Sequence, residues 1–191
     1  YLILEKVTII PKIKLVRHAI GTRINIIHLM MVFIFIIALA TRLAMVRDLA
    51  TPAWVDSVHH ATITRLILDE GAIPSSYAPY IEVNTASYHA GFHSIAAMFQ
   101  GISGIDLAQG MLILGQVLNA LMVFAAYLFT TTLTNRKLAG ITAALITGLL
   151  TPMPAYYTSW GRYTQLAGLL ILPAAFAILV FILDNNWKTA Q

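Results

Sequence analysis

Asp56 lies shortly before two histidines, His59 and His60, and all three side chains are of types that move protons or bind metal ions. Offsets of three and four residues bring them onto one flank if the segment is helical. A carboxylate placed there can deprotonate an acceptor as a general base, or bind a divalent metal ion. It can equally be structural, because an acid in the first turn of a helix interacts favourably with the helix dipole. Both interpretations of Asp56 stand on the sequence alone.

His89 and His93 stand four residues apart in the segment HAGFH, so a helix would place both imidazoles on one face. That spacing suits a metal ion, and Asp56 or His60 could complete a tetrahedral set of ligands. No glutamate stands between the two histidines as it does on a zinc-protease helix. We therefore favour the alternative, in which these histidines lie at an interface and form hydrogen bonds with their neighbours.

Arg162 lies between two aromatic residues, Trp160 and Tyr163. A guanidinium group binds phosphate or pyrophosphate through two parallel hydrogen bonds, which makes Arg162 a candidate phosphate ligand. A membrane-interface anchor formed by Arg162 and its aromatic neighbours is an equally good interpretation. The acids at 69–70 are interpreted as a solvated turn at a helix end. The candidate substrate-binding residues are His59, His60, Glu82, Arg162 and Tyr163.

The composition indicates a membrane protein. Hydrophobic residues make up 59% of the 191-residue chain and charged residues only 10%, whereas soluble domains carry roughly 25% charged residues. The net charge of +4 comes from basic residues that flank apolar segments, as topology signals do. We therefore expect membrane lipid as a partner and no nucleic acid. The chain has no cysteine, which excludes disulfides, thiolate metal sites and cysteine nucleophiles.

Several segments approach the length of about 20 apolar residues that a membrane-spanning helix needs. The third becomes a span only if it continues through Pro152 and Pro154. Arg42 lies near the end of the first span, where its side chain could reach the interface. His28 and Asn119 are predicted to form polar contacts between helices. The predicted spans are 25–45, 107–133, 138–157 and 165–183.

Small residues on the second span, at Gly110, Gly115 and Ala120, suit close helix contacts. Pro173 should kink the fourth span or mark a packing site. The predicted fold is an all-α polytopic bundle that forms one membrane domain over residues 1–191. Because the chain begins without methionine and stops just after an apolar segment, we expect it to be a fragment of a longer protein.

The first connection, residues 48–106, holds most of the acids and histidines. Two amphipathic helices are predicted in it, at 54–70 and 87–100, lying along the membrane surface. The apolar face of the first helix should contain Val55, His59, Ile63, Leu66 and Ile67. The aromatic residues expected to hold this connection at the interface are Trp54, Tyr77 and Tyr80.

Orientation follows from the distribution of lysine and arginine. Basic residues precede the first span, fill the turn at 136–137 and follow the fourth span at Lys188. The positive-inside rule therefore predicts a cytoplasmic N-terminus and an exterior location for residues 48–106.

A family resemblance adds to this interpretation. The helix ending ILDEGAIP and the segment YHAGFHSIAAMFQGISG, followed by LAGITAALITGLLTP and GRYTQLAG, resemble bacterial and archaeal members of the GT-C superfamily of polytopic membrane glycosyltransferases. The resemblance covers about residues 26–183. It implies transfer of a sugar from a polyprenyl-phosphate donor to an acceptor on the exterior face. It also implies an acid in the first exterior loop as base or metal ligand, a position that Asp56 matches. Arg162 matches no motif of the superfamily.

Two other function classes compete with glycosyl transfer. The chain could be a non-catalytic subunit of a larger membrane complex, binding other membrane subunits through its small-residue faces. A pigment-binding role is disfavoured because only His28 lies within a predicted span. A transporter ranks last, because no charged residue is predicted at mid-depth of a span.

Overall fold

The computed structural model describes residues 25–82 and 88–189, and the side chains of these residues as far as 183. Every regular element in this part of the chain is helical, which confirms the all-α prediction. The helices are α1 (Ile26–Val46), α2 (Val55–Glu70), α3 (Gly91–Ser103), α4 (Leu107–Thr134), α5 (Lys137–Leu145), a π-helical turn (Ile146–Leu150), α6 (Ala155–Ser159) and α7 (Tyr163–Thr189).

Four helical stretches are long and apolar enough to cross a membrane: α1, α4, α7 and the stretch from α5 to α6. Large apolar side chains on their outer faces are exposed, among them Phe33 at 64% and Ile171 at 66%. Such surface is costly in water and favourable in lipid. The predicted spans at 25–45, 107–133 and 165–183 correspond to α1, α4 and α7, and α7 continues through Pro173 to Thr189.

Helix α4 lies at the centre and packs against α1, α5 and α7. Near one end of the bundle, Met111 and Leu114 of α4 pack with Phe92 of α3 and with Tyr163 and Leu166 of α7. Further along, α4 contributes Ala120 and Val123 to a second core shared with α1 and α5. One helix therefore joins the connecting helix α3 to three of the four candidate spans.

The third span is interrupted. Helix α5 ends in the π-helical turn Ile146–Leu150, and residues 151–154 are not helical before α6 begins at Ala155. Pro152 and Pro154 account for the break, because a proline has no backbone N–H to donate within a helix. The predicted third span, 138–157, corresponds to the candidate span Lys137–Ser159, within which the α-helix is interrupted.

Arg42 is buried, at 8% exposure, and does not reach outward along the helix as predicted. Its Nη2 donates a 2.8 Å hydrogen bond to the carbonyl oxygen of Gly148 in the π-helical turn. A Cβ at Gly148 would lie 2.7 Å from Cγ1 of Val123 and 3.4 Å from Cβ of Ala38, so glycine allows the π-helical turn to lie close to α4 and α1. The hydrogen-bond acceptor of Arg42 therefore lies in a neighbouring span, whereas the sequence predicted that the side chain would reach the membrane interface.

The two helices of the first connection exist, but their packing differs from the prediction. Helix α2 begins at Val55, which is 77% exposed, and its buried side includes Ser57, His60, Ile63 and Leu66. Tyr77 packs with Ile63 and Leu66 rather than facing an interface. Helix α3 begins at Gly91, later than the predicted residue 87, which lies outside the described residues.

Two polar residues of the spans also differ from expectation. His28 is exposed and belongs to the N-terminal cap of α1, where its Nδ1 accepts a hydrogen bond from the backbone of Asn25. Asn119 is buried at 2% exposure, but neither of its amide atoms has a hydrogen-bond partner among the described residues.

Candidate active site

The start of helix α2 fixes the position of Asp56. Trp54 has a φ of 73°, outside the helical region, so the chain turns there and the helix begins at Val55. Asp56 consequently lies in the first helical turn, where the helix dipole favours a negative charge. The hydroxyl of Ser57 donates to the carbonyl of Ala53 and ties this turn to the preceding segment.

Gly161 brings a second segment against this turn. Its φ is +67°, and a Cβ would lie 2.7 Å from Oγ and 3.0 Å from the backbone nitrogen of Ser57. Only glycine combines this backbone conformation with so close an approach. The Trp160–Arg162 turn can therefore pack directly on the N-terminus of α2, which places Arg162 beside Asp56.

Asp56 and Arg162 form an ion pair, with 3.1 Å between Oδ2 of Asp56 and Nε of Arg162. The Nε–H bond is not aligned with any acceptor among the described residues, so the contact is electrostatic rather than a directed hydrogen bond. Both side chains are partly exposed, at 37% for Asp56 and 42% for Arg162. The guanidinium carbon also lies 4.7 Å from the centre of the Trp160 ring, in a cation–π contact.

This ion pair lines a cavity of about 270 Å³ at the end of the bundle where α1 ends and α7 begins. The cavity wall mixes charged, aromatic and amide side chains. They come from α2, from the segment before α3 and from the start of α7: Asp56, His60, Tyr88, His89, Arg162, Thr164 and Gln165. The groove of about 200 Å³ beside Phe33 and Leu149, in contrast, has an apolar wall.

His60, which belongs to the cavity wall, is joined to His93 by a hydrogen bond of 3.0 Å between Nδ1 of His60 and Nε2 of His93. Nδ1 of His93 lies 3.1 Å from the backbone carbonyl oxygen of His89. The two rings are almost inaccessible, at 2% exposure for His60 and 0% for His93. Both nitrogens of His93 are thus occupied by partners within the protein.

Burial lowers the pKa of His60 to about 4 and that of His93 to about 3. Desolvation is the largest cause for both, since a charged ring is costly away from water. The positive charge that neighbouring His59 can carry also lowers the pKa of His60, while Asp56 acts in the opposite direction. Both rings are therefore neutral at pH 7.

His59 lies outside the cavity, among aromatic rings. Its ring centre is 5.5 Å from that of Tyr77 and 5.2 Å from that of Tyr88. Tyr88 in turn stacks on His89 with 4.1 Å between ring centres. His59 therefore contacts a wall residue of the cavity rather than forming the wall itself.

Tyr163, which was predicted as a substrate-binding residue, is not among the residues that line the cavity. The side chain is 0% exposed and stacks on Phe92 with 5.2 Å between ring centres. Glu82 is exposed and does not line the cavity either. Tyr163 belongs to the apolar core that packs the start of α7 against α3 and α4.

The predicted metal ligands do not converge. Among the side chains of residues 25–82 and 88–183, no three acidic or histidine groups are arranged to hold a metal ion. His60 and His93 use the facing nitrogens for each other, and the second nitrogen of His93 faces a carbonyl oxygen. The set Asp56, His60, His89 and His93 does not fit a divalent metal in this geometry.

Some wall residues were missed by the sequence reasoning. Thr164 and Gln165 lie on the first turn of α7, two and three residues after Arg162. Their closeness to Arg162 in the sequence could have identified them as further candidates. Tyr88 is the aromatic residue before His89, and its hydroxyl is 3.5 Å from Oγ1 of Thr164. His60 and His93 were grouped as possible metal ligands, but their direct hydrogen bond could not be predicted from spacing, because the two residues lie on different helices.

Fold and site together define an all-helical protein with four candidate membrane spans and a polar cavity at one end of the bundle. The chain belongs to DUF6541, a family of unknown function whose family model matches residues 13–191. No curated protein and no solved structure matches the chain.

Proposed function

We propose that this protein transfers a sugar from a polyprenyl-phosphate donor to an acceptor hydroxyl at the exterior face of the membrane. The observation that carries the proposal is the Asp56–Arg162 ion pair in a polar cavity at the end of apolar spans. In one reaction, a carboxylate can take the proton of a nucleophile while a neighbouring guanidinium binds a phosphate.

The position of the cavity suits a lipid-linked donor. The wall residues Thr164 and Gln165 belong to the first turn of α7, and this helix contains an apolar stretch long enough to span the bilayer. The apolar chain of such a donor can remain in lipid while its phosphate and sugar enter the cavity. The positive-inside rule puts this end of the bundle outside, because the basic turn at 136–137 lies at the opposite end of α4.

Arg162 is the proposed phosphate ligand. Its guanidinium is held between Asp56 and Trp160, and it is 42% exposed. Nη1 and Nη2 form no hydrogen bond with the described residues and remain for phosphate oxygens. A bound phosphate competes with Asp56 for the guanidinium, so arrival of the donor loosens the ion pair.

Asp56 is the proposed general base. The acceptor oxygen forms a bond to the anomeric carbon of the sugar, and the bond from that carbon to the phosphate oxygen breaks. The bonding electrons leave with polyprenyl phosphate, whose charge Arg162 stabilises. The proton of the acceptor hydroxyl passes to the Asp56 carboxylate, which completes the balance of atoms and charge.

Asp56→Asn tests this proposal. The purified protein is reconstituted in liposomes with polyprenyl-phosphate mannose or polyprenyl-phosphate glucose and with an alkyl glucoside as the hydroxyl-bearing acceptor, and release of polyprenyl phosphate is measured by mass spectrometry. Loss of a general base should lower the rate by about 10²–10⁴-fold. The free energy of unfolding should change by less than about 1 kcal/mol, because the ion pair is partly exposed.

Asp69→Asn is the matched control. Asp69 belongs to the same helix and forms a similarly exposed ion pair with Arg65, at 3.0 Å, but lies outside the cavity. The control should retain the rate. Full activity of Asp56→Asn would refute the assignment of the base, and the absence of donor turnover by the unaltered protein would refute glycosyl transfer from these donors.

A further inference from the structure

We infer that His93 is a positioning residue that holds His60 in the tautomer protonated on Nδ1, so that His60 offers an unprotonated Nε2 to a hydroxyl group in the cavity. The ligand class, a neutral hydroxyl-bearing acceptor, rests on the proposed function. The tautomer rests only on hydrogen-bond geometry and can be measured without any substrate.

The first step of the argument is the contact between His93 and the backbone. The carbonyl oxygen of His89, 3.1 Å from Nδ1 of His93, can only accept a hydrogen bond. Nδ1 of His93 must therefore carry the proton. A neutral imidazole has a single N–H, so Nε2 of His93 is left as an acceptor.

The second step follows from the 3.0 Å contact between the two rings. Since Nε2 of His93 accepts, Nδ1 of His60 must donate, and it carries the only proton of the neutral His60 ring. Nε2 of His60 is then unprotonated. The buried ring of His93 occupies the Nδ1 edge, and His60 belongs to the wall of the cavity, so its Nε2 edge is the one left for a ligand.

A competing arrangement would move the proton of each ring to its other nitrogen. The backbone of Gly161 is close enough to His60 to favour its charged form, and a proton on Nε2 of His60 could point toward that carbonyl. His93 would then place an unprotonated Nδ1 against the carbonyl of His89. The aligned 3.1 Å contact between His93 and His89 favours the first arrangement, because no aligned hydrogen bond joins His60 to Gly161.

This assignment divides the cavity by chemistry. Arg162 offers N–H donors to an anion, whereas His60 offers a lone pair to an O–H donor. A hydroxyl that donates to Nε2 of His60 is not the reacting one, because each O–H has a single proton; a second hydroxyl of the same acceptor passes its proton to the Asp56 carboxylate, which lines the same cavity. His60 contacts the ligand in this scheme, and His93 acts only through His60.

Nitrogen-15 spectroscopy of histidine ring nitrogens tests the tautomer in the ligand-free protein in lipid nanodiscs. His60→Gln identifies the His60 signals by their loss. We expect the shift and the direct N–H coupling of a protonated Nδ1, with Nε2 in the range of an unprotonated nitrogen. A protonated Nε2 would overturn the inference, whatever becomes of the proposed reaction.

Two variants separate positioning from structure. His93→Leu removes the acceptor and should move the proton of His60 from Nδ1 to Nε2. His89→Ala removes a neighbouring imidazole but keeps the backbone carbonyl that orients His93, and it should leave the tautomer unchanged. A tautomer that responds to His89→Ala and not to His93→Leu would contradict the assignment.

The ligand class is tested with octyl glucoside, which bears sugar hydroxyls on an apolar chain. Its addition should shift the Nε2 resonance of His60, and permethylated octyl glucoside, which has no hydroxyl, should not. Equal shifts, or no shift with either compound, would overturn the hydroxyl-binding role of His60. The tautomer assignment would be unaffected, because it is tested in the ligand-free protein.

Discussion

Nε of Arg162 lies 3.1 Å from Oδ2 of Asp56, although the two residues belong to segments on opposite sides of the central helix in the sequence. The contact exists because Gly161 lets the turn before α7 approach the first turn of α2 without a side chain between them. A residue from the first connection and a residue from the last are thereby joined at one cavity.

Substitution of Arg162 should weaken binding of a lipid phosphate. Arg162→Gln removes the charge, and a charged hydrogen bond is worth about 1.5–3 kcal/mol, which corresponds to roughly 10–100-fold in affinity. Arg162→Lys keeps the charge but loses the planar fork and the stacking on Trp160, so an intermediate loss is expected. Native mass spectrometry of the protein with farnesyl phosphate measures the affinities.

Arg65→Gln is the control for this experiment. Arg65 is also paired with an acid of helix α2, yet it lies away from the cavity, so its loss should not change the affinity for farnesyl phosphate. Unchanged binding by Arg162→Gln, or an equal loss in Arg65→Gln, would contradict the role of Arg162.

Much of the site followed from residue types in the sequence. Asp56, His60 and Arg162 were candidates because their chemistry stands out in a chain with few charges, and all three line the cavity. Tyr163 was included by proximity to Arg162. The start of α7 turns its side chain inward onto Phe92, and a linear sequence does not show on which side of a helix start a residue falls.

Arg42 shows a second limit. Its position near the end of an apolar segment made a side chain extended to the interface the simplest interpretation. The acceptor it uses is a backbone carbonyl of Gly148, in a π-helical turn of another span. Apolar composition predicted where the spans lie. Helix irregularities and the contacts they create depend on packing between spans, which periodicity does not encode.

Acidification should destabilise the protein through His60 and His93. Their pKa values in the folded protein, about 4 and about 3, lie below the ordinary value of 6.5. The unfolded chain therefore binds more protons, and stability is complete above pH 6.5 and lost as the pH falls toward 4. Between pH 7 and pH 5 the loss is roughly 2 kcal/mol per histidine.

Thermal unfolding in detergent, followed by tryptophan fluorescence between pH 7 and pH 5, measures this dependence. His60→Gln should flatten the slope of stability against pH even if it lowers stability at pH 7. His93, whose pKa is also lowered, remains in this variant and sets the slope that is left. A slope unchanged by His60→Gln would show that other groups cause the effect.

Membrane orientation can be tested with single cysteines, because the chain contains none of its own. Ser75 is exposed in the first connection and Thr134 is exposed at the opposite end of α4. In intact cells a membrane-impermeant maleimide should label Ser75→Cys, whereas Thr134→Cys should react only after the membrane is permeabilised. The reverse pattern would place the cavity in the cytoplasm and contradict an exterior reaction.

Gly115 should be the least replaceable of the small residues on α4. A Cβ at this position would lie 2.9 Å from Cδ1 of the Tyr163 ring, and closer still to Cε1. The ring cannot retreat easily, because it is fully buried and stacked on Phe92. Gly115→Ala should therefore lower the free energy of unfolding by about 1–3 kcal/mol, the usual cost of overpacking.

Gly110→Ala provides the matched comparison within the same helix. Its Cβ would make ordinary contacts with Phe99, the shortest at 3.6 Å, and alanine favours helix over glycine by up to about 1 kcal/mol. Gly115→Ala should lower the unfolding temperature, whereas Gly110→Ala should raise it or leave it nearly unchanged. Because Tyr163 immediately follows Arg162, Gly115→Ala should also disturb the Asp56–Arg162 contact and weaken farnesyl phosphate binding. If both variants unfold alike, the close packing of α4 against the start of α7 does not hold the site together.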